Sequence, residues 1–113
     1  MEKREITFTL TRKMIQDYAL ASGDQNPIHT DDAVAIAQGL PSSISHGMLV
    51  MGICASKIIE FGWVPKLTTY EMSFLSYVLP EEELVLTTSF KNGQGMGMVS
   101  SRSGRRKAEF TFT

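Results

Sequence analysis

The sequence contains one cysteine and no apolar run long enough to cross a membrane. Cys54 has no second cysteine with which to form an internal disulfide, so we expect a reducing, cytoplasmic environment. The most apolar stretch, residues 48–59, is interrupted by Gly52, Ser56 and Lys57 and is shorter than the roughly 20 residues that span a bilayer. The N-terminus starts with charged residues and no apolar signal core follows them, so we expect neither secretion nor a membrane partner.

Charge of one sign is not in excess either. Eleven Lys and Arg residues stand against twelve Asp and Glu residues, which leaves a net charge of -1. A nucleic-acid-binding protein normally carries a basic surplus, so we expect no nucleic-acid partner. With 42% hydrophobic and 20% charged residues, the composition is that of a folded protein and not of a disordered or fibrous one. The length of 113 residues predicts a single domain over 1–113.

Hydrophobic spacing divides the chain into a mainly helical first half and a strand-rich second half. Residues 5–10 alternate apolar and polar, which predicts a strand with one buried face. Apolar positions three and four apart predict a helix capped by Thr11 and extending to about Ala21. A short helix over 31–39, capped by Asp31 or Asp32, is predicted after a polar loop. Apolar residues occupy nearly every face of 46–61, which predicts a long helix buried on all sides.

A two-residue period replaces the helical spacing after Pro65. It predicts four strands, over 70–78, 84–91, 96–102 and 105–112. Turn signals at Asn92-Gly93 and Ser103-Gly104 separate the last three. An antiparallel meander wrapped round the long helix would let sheet and helix cover each other's apolar surfaces, so the predicted fold class is α+β.

The polar loop 22–31 holds the densest group of reactive side chains. On an ideal helix Asp24 and His29 would lie about 140° apart, but a loop removes that restriction. Pro27 stiffens the loop and the Asn26 side chain can bond nearby backbone groups, so both reactive side chains can face one point. A carboxylate and an imidazole directed at one point can orient a water and transfer its proton near neutral pH.

Three segments closely resemble the MaoC-like dehydratases, the family of the (R)-specific enoyl-CoA hydratases and their relatives. They are 22–31 (SGDQNPIHTD), 37–39 (AQG) and 44–48 (ISHGM). Their order and spacing match the family, and the predicted order of strands and helices agrees with it over nearly the whole chain. The resemblance implies a hot-dog fold, in which an antiparallel sheet wraps round a long central helix.

The resemblance also implies an activity and roles for particular residues. It implies the reversible hydration of trans-2-enoyl thioesters of CoA or an acyl carrier, with no metal or redox cofactor. Asp24 and His29 then hold the catalytic water, with the roles of acid and base left open, and the Gly47 backbone N–H binds the thioester carbonyl. His46 either contacts substrate or fixes the loop to the helix. Some members carry a serine eight residues after the glycine, where this chain has Ala55.

The resemblance also implies how the chain assembles, and two alternative functions remain beside the hydratase. A sheet of this size leaves an exposed edge, and the family implies that two copies join edge to edge, as a homodimer or as a heterodimer with a sister chain. A hot-dog thioesterase would use a carboxylate on or near the central helix, where the chain offers only Glu60 at the far end. A non-catalytic subunit that binds acyl thioesters would depend on an active partner.

Other reactive residues have plainer interpretations. Cys54 lies among apolar helical neighbours, which predicts an inert core thiol with a raised pKa. The basic cluster of Arg102, Arg105, Arg106 and Lys107 predicts a solvated turn, or else a contact with the phosphates of a carrier. No grouping of His, Cys, Asp and Glu has the spacing of a metal site.

Overall fold

The computed structural model describes residues 1–113 as five strands and three α-helices. The strands are β1 (Glu2–Thr9), β2 (Tyr70–Phe74), β3 (Glu83–Lys91), β4 (Gln94–Ser101) and β5 (Arg106–Phe112). The helices are α1 (Arg12–Ser22), α2 (Asp32–Ala37) and α3 (Gly47–Glu60), and a 3₁₀ turn covers Pro27–His29. All five strands form one antiparallel sheet in the order β1-β3-β4-β5-β2, and α3 packs against it, which confirms the α+β class.

Short-range signals account for the ends of the helices. Thr11 Oγ1 accepts a hydrogen bond from a first-turn backbone N–H at 3.1 Å, which caps α1 as predicted. Asp31, and not Asp32, caps α2, since its carboxylate accepts from two backbone N–H groups at 3.0 and 3.3 Å. Gly23 follows α1 with a φ of 79°, a left-handed conformation that glycine adopts without strain. These ends are set by one or two residues each.

The meander prediction is confirmed for β3, β4 and β5 and is wrong for β2. Strands β3 and β4 join through Asn92-Gly93, whose φ angles of 53° and 76° fit a tight hairpin turn. Strand β2 lies at the far edge of the sheet beside β5, while β1 pairs with β3 at the other edge. Residues 75–82 therefore connect two strands that are not neighbours.

The strand predicted over 70–78 ends at Phe74, so its second half is wrong. The backbone N–H groups of Leu75 and Ser76 both donate to the Lys107 carbonyl, at 2.8 and 3.2 Å. Two donors on one acceptor interrupt the regular ladder, in which each carbonyl serves one neighbour. The chain leaves the sheet at this point.

Lys107 then holds the segment 75–82, called the strap below. Its side chain is 3% exposed, donates to the Tyr77 carbonyl at 2.9 Å and pairs with Glu82 at 3.1 Å. The same Glu82 carboxylate accepts from the Leu79 N–H at 3.2 Å. The prediction of a solvated turn is therefore wrong for Lys107, because the connection to β3 folds over it.

Helix α3 supplies the centre of the hydrophobic core. Its buried side chains are Leu49, Val50, Cys54 and Ile58. The sheet contributes Leu84, Leu86, Val99, Ala108, Phe110 and Phe112. Burial raises the pKa of the Cys54 thiol to about 12, which agrees with the prediction of an inert core residue. None of the helices combines the length and the apolar character that crossing a membrane requires.

The prediction that α3 is buried on all sides is wrong. Met48 is 64% exposed and Ile59 is 38% exposed, and Gly52 between them is exposed as well. Positions 48, 52 and 59 follow the spacing of one helix face. One strip of α3, from Met48 to Ile59, therefore faces solvent in the single chain.

Two glycines of β4 allow aromatic side chains to lie close to its backbone. Gly95 pairs with Phe112 and Gly97 pairs with Phe110 in the ladder between β4 and β5. A Cβ built at either glycine would overlap the ring of its partner. Since the two rings are only 1% and 3% exposed, they have no free space into which to move.

We expect Gly97→Ala to lower the free energy of unfolding by about 1–3 kcal/mol, the usual cost of forcing extra atoms into a packed core. The added methyl would also lie 2.5 Å from the Thr87 carbonyl oxygen. Gly52→Ala is the matched control, because a Cβ there meets nothing within 4 Å and alanine favours a helix over glycine by ~1 kcal/mol. Chemical denaturation measures both changes. Unaltered stability of Gly97→Ala would contradict the packing argument.

Candidate active site

Residues 22–31 fold through local hydrogen bonds between side chains and backbone. Asp24 Oδ1 accepts from the Asn26 N–H at 3.3 Å, and Asn26 Oδ1 accepts from the N–H two residues further on at 3.2 Å. Asn26 has a ψ of 123°, outside the helical range, as the steric demand of the following proline requires. Pro27 then opens the 3₁₀ turn that carries His29. These bonds and the turn fix the backbone between Asp24 and His29.

Asp24 and His29 face each other across this loop. His29 Nε2 lies 4.0 Å from Asp24 Oδ2. His29 Nδ1 lies 2.8 Å from the Ile44 carbonyl oxygen, and since a carbonyl only accepts, Nδ1 carries the hydrogen and neutral His29 keeps its lone pair on Nε2. The His29 side chain is 10% exposed and that of Asp24 is 55% exposed. Two acceptors at this separation suit a water that donates one hydrogen to each.

His46 packs against this pair, and its stacking on His29 is a contact that the sequence did not predict. It is 2% exposed, and its ring stacks on that of His29 with centroids 3.7 Å apart and planes 28° apart. Its Nε2–H donates to the Asp24 carbonyl at 3.0 Å. Tyr18 of α1 packs edge-on against the other side, 4.8 Å away. No local pattern signals these contacts, because they depend on how the loop returns to the start of α3.

Gly47 begins α3 directly after His46. The first N–H groups of any helix lack helical partners, and no side chain caps those of α3. A Cβ at position 47 would lie 3.1 Å from the Phe74 ring, tighter than ordinary contact, which favours glycine here. Free N–H groups and the positive end of the helix dipole together suit an oxygen that carries negative charge.

Asp24, His29 and His46 also form a group whose candidate metal-ligand atoms all lie within 4.8 Å of one another. Sequence spacing gave no sign of this group. The two imidazoles stack face to face, and both His46 Nε2 and His29 Nδ1 are engaged with backbone carbonyls, so neither nitrogen is free for an ion. A tetrahedral ion needs ligands converging at about 2.0–2.2 Å. The geometry suits a water held by Asp24 and His29 better than a metal ion held by all three.

Asp32 holds the segment that leads to His46. Its carboxylate accepts from the Ser43 backbone N–H at 3.0 Å and pairs with Arg12 at 3.2 Å. The Ser43 N–H, followed by the Ser43 hydroxyl and the Arg12 guanidinium, holds the pKa of the Asp32 carboxyl below its ordinary value of 3.8. The charged form of Asp32 therefore ties together the starts of α1 and α2 and the approach to α3.

We expect Asp32→Asn to destabilise the chain near neutral pH and to have a smaller effect in acid. Because the folded-state pKa of Asp32 is lowered, the stabilisation by its charged form is fully present above pH 3.8 and is lost as the pH falls through the folded value. Thermal unfolding of the variant and the unaltered chain across this range measures the gap between them. A gap that stays constant in acid would rule out this role for the carboxylate.

The three arginines of the basic cluster remain at the surface. Arg102 forms an ion pair with Glu83, and the Arg105 guanidinium lies 5.7 Å from the centre of the Tyr77 ring. Arg106 is exposed at the start of β5. These contacts are those of a solvated turn, in contrast to the buried ammonium of Lys107.

Residues 2–109 match the MaoC like domain, so the chain belongs to the MaoC-like dehydratase family, as the motif implied. Over 67 residues it is 36% identical to peroxisomal enoyl-CoA hydratase 2 of Arabidopsis thaliana, a match that covers 57% of this chain and 22% of that protein. Over 70 residues it is 36% identical to the fatty acid synthase beta subunit TOXC of Cochliobolus carbonum, covering 59% of this chain and 3% of that protein. The chain thus spans a small part of the length of these relatives.

The fold is shared with solved hydratases. The structure of the (R)-hydratase from A. caviae involved in PHA biosynthesis superimposes with a TM-score of 0.85 at 17% sequence identity, covering 98% of this chain and 91% of that one. An agreement of this extent confirms the hot-dog fold, with the sheet wrapped round α3.

Proposed function

We propose that this chain catalyses the reversible addition of water to trans-2-enoyl thioesters of CoA or an acyl carrier. The observation that carries the proposal is the pair of acceptors Asp24 Oδ2 and His29 Nε2, 4.0 Å apart. Both residues contact His46, which directly precedes the uncapped start of α3. Family membership and a hydratase among the relatives support the same class of reaction.

In this proposal Asp24 and His29 hold one water by its two hydrogens. The water oxygen attacks the β-carbon as one proton passes to Asp24 or His29, and the same group then delivers that proton to the α-carbon. The hydroxyl and the hydrogen of one water both end on the product, and the pair returns to its starting state. Because both groups belong to one loop, addition from a single face, a syn addition, follows.

Attack at the β-carbon moves an electron pair onto the thioester oxygen, which needs hydrogen-bond donors. We assign this role to the Gly47 N–H at the start of α3, since it has neither a side-chain cap nor a side chain of its own in the way. Loss of one such donor typically costs ~10²–10³-fold in turnover. The acid–base pair, worth ~10²–10⁴-fold, and the helix terminus therefore have to act together.

The position of Glu60 argues against the thioesterase alternative. Glu60 ends α3, which has 14 residues, so it lies about 20 Å along the helix from Gly47. Its side chain is 67% exposed and its nearest cation is Lys57 at 3.9 Å. A carboxylate so placed cannot act on a thioester bound at the other end of the helix.

The proposal is tested by following the loss of enoyl-thioester absorbance. The substrates are crotonyl-CoA, enoyl-CoA of longer chain length and an enoyl thioester of an acyl carrier. We expect turnover with at least one of these substrates. Turnover should fall by about 10²–10⁴-fold in both Asp24→Asn and His29→Ala, because that is the usual size of an acid–base contribution. Asp17→Asn, on the exposed face of α1, is the control for loss of a surface carboxylate. The double variant should lose little more than either single one, because the two groups act as a unit.

Three outcomes would count against this function. Inertness toward every enoyl thioester would remove it, and tight binding without turnover would favour the non-catalytic subunit. Release of free thiol from acyl-CoA would favour a thioesterase. A loss of only a few fold in either single variant would remove that residue from the acid–base pair.

We further propose that two copies pair through the free edge of β2, with both α3 helices on one side of a continuous sheet. Strand β2 ends the sheet, so its outer edge has no strand partner. Phe74 and Leu75, at the end of that strand, are 47% and 49% exposed, and the strip of α3 from Met48 to Ile59 is exposed as well. A second copy, or a sister chain with the same edge, would cover these apolar groups.

Sedimentation across a dilution series tests this assembly, and we expect a species of twice 12.5 kDa. Ile59→Glu places a charge in the α3 strip and should shift the equilibrium toward the monomer. Met96→Glu is the matched control, because Met96 is 59% exposed and alternates with Gly95 and Gly97 onto the opposite face of the sheet. A monomer that remains fully active at the highest concentration would overturn the proposal.

A further inference from the structure

We propose that His46 is a positioning residue, which fixes the Asp24–His29 pair against the start of α3 and does not contact substrate. This inference rests on the proposed function and adds a role to it. His46 is 2% exposed, so a substrate in the loop cannot reach its ring without displacing its neighbours. The residue acts through Asp24 and His29, each of which it touches directly.

The two contacts of His46 restrain different parts of the pair. Its Nε2–H donates to the Asp24 backbone carbonyl at 3.0 Å, which fastens the exposed end of the loop. Its ring stacks on His29 at 3.7 Å, while the Ile44 carbonyl holds His29 Nδ1 from the edge. The His29 ring is therefore held at its edge by Ile44 and on its face by His46. Together these contacts set the direction of the Nε2 lone pair.

His46 is also the residue that precedes Gly47 and the free N–H groups of α3. Its backbone carbonyl accepts from the Val50 N–H at 3.3 Å, so the same residue belongs to the first turn of the helix. The water held by Asp24 and His29 and the oxygen held by the helix must keep a fixed separation, set by the length of one enoyl thioester unit. His46 links the two halves of the site and sets that separation.

A buried nitrogen of His46 without a partner provides a way to tell a positioning role from simple packing. His46 Nδ1 is buried and has no hydrogen-bond partner, an arrangement that lowers stability. A phenylalanine at this position would keep a flat ring against His29 and Tyr18, remove the unsatisfied nitrogen and lose the bond to Asp24. The freed Asp24 carbonyl can turn to water, because Asp24 is exposed. Stability and activity should therefore move in opposite directions.

The test compares His46→Phe, His46→Gln and Cys54→Ala. For His46→Phe we expect a thermal midpoint no lower than that of the unaltered chain, a kcat that falls about 10–100-fold, as expected for misplaced reacting groups, and a KM within about twofold. The glutamine amide can reach toward the Asp24 carbonyl, so His46→Gln should recover part of the lost kcat. Cys54→Ala removes a fully buried group from the same helix, and should lower stability while leaving kcat unchanged.

Amide hydrogen exchange of residues 22–31 gives a readout that needs no turnover. Exchange in this loop should accelerate in His46→Phe, remain closer to normal in His46→Gln and be unaffected in Cys54→Ala. If the chain hydrates no enoyl thioester, the proposed function fails while loop exchange still decides the role of His46. If His46→Phe does not fold, His46→Gln is compared with His46→Leu, which keeps an apolar side chain but cannot bond the Asp24 carbonyl. Faster loop exchange in His46→Leu than in His46→Gln supports the role, and equal exchange in the two overturns it.

Two further results would overturn the inference. A raised KM with normal kcat in His46→Phe would place His46 in contact with substrate. Unchanged loop exchange together with unchanged kcat would show that neither the hydrogen bond nor the stack positions the pair.

Discussion

The curvature of the sheet around α3 is the constraint on which the rest of the structure depends. Gly95 and Gly97 carry no side chain, so the rings of Phe110 and Phe112 lie across the backbone of β4 on the side of the helix. At the edge of the same sheet, β2 places the Phe74 ring beside Gly47, so close that a Cβ there would lie 3.1 Å from it. The edge of the wrapped sheet and the start of α3 therefore lie side by side.

The strap transmits that constraint from the sheet to the site. The Ser45 N–H donates to the Val78 carbonyl at 2.8 Å, directly before His46 and Gly47. Lys107 and Glu82 hold the strap through a largely buried ion pair, whose desolvation cost offsets much of its Coulombic gain. Its contribution is therefore geometric more than energetic: it fixes the strap and hence the approach to α3.

The sequence predicts those features that depend on neighbouring residues. The caps at Thr11 and Asp31 and the turn at Asn92-Gly93 each involve a few adjacent positions, and all three form as expected. The end of β2 at Phe74 was not predictable, because apolar alternation continues past it while the hydrogen bonds that end the strand come from β5, more than thirty positions later in the chain. Alternation reports which face is buried, and not which partner supplies the bonds.

The same distinction applies to the site. Residues 22–48 include every group proposed to act on substrate, so a short motif suffices to indicate Asp24, His29 and Gly47. The stacking of His46 on His29 depends on tertiary contacts with α1 and the strap. Hydrophobic periodicity in the sequence does not indicate it.

The unequal exposure of the acid–base pair fits the proposed reaction. A water is consumed in each hydration and has to be replaced from solvent, which the 55% exposure of the Asp24 side chain permits. The partner that must present a lone pair in a defined direction is His29, which is 10% exposed and held from its edge by Ile44 and across its face by His46. Access for water and precise direction are conflicting demands on one side chain, and the loop meets them by assigning each to a different residue.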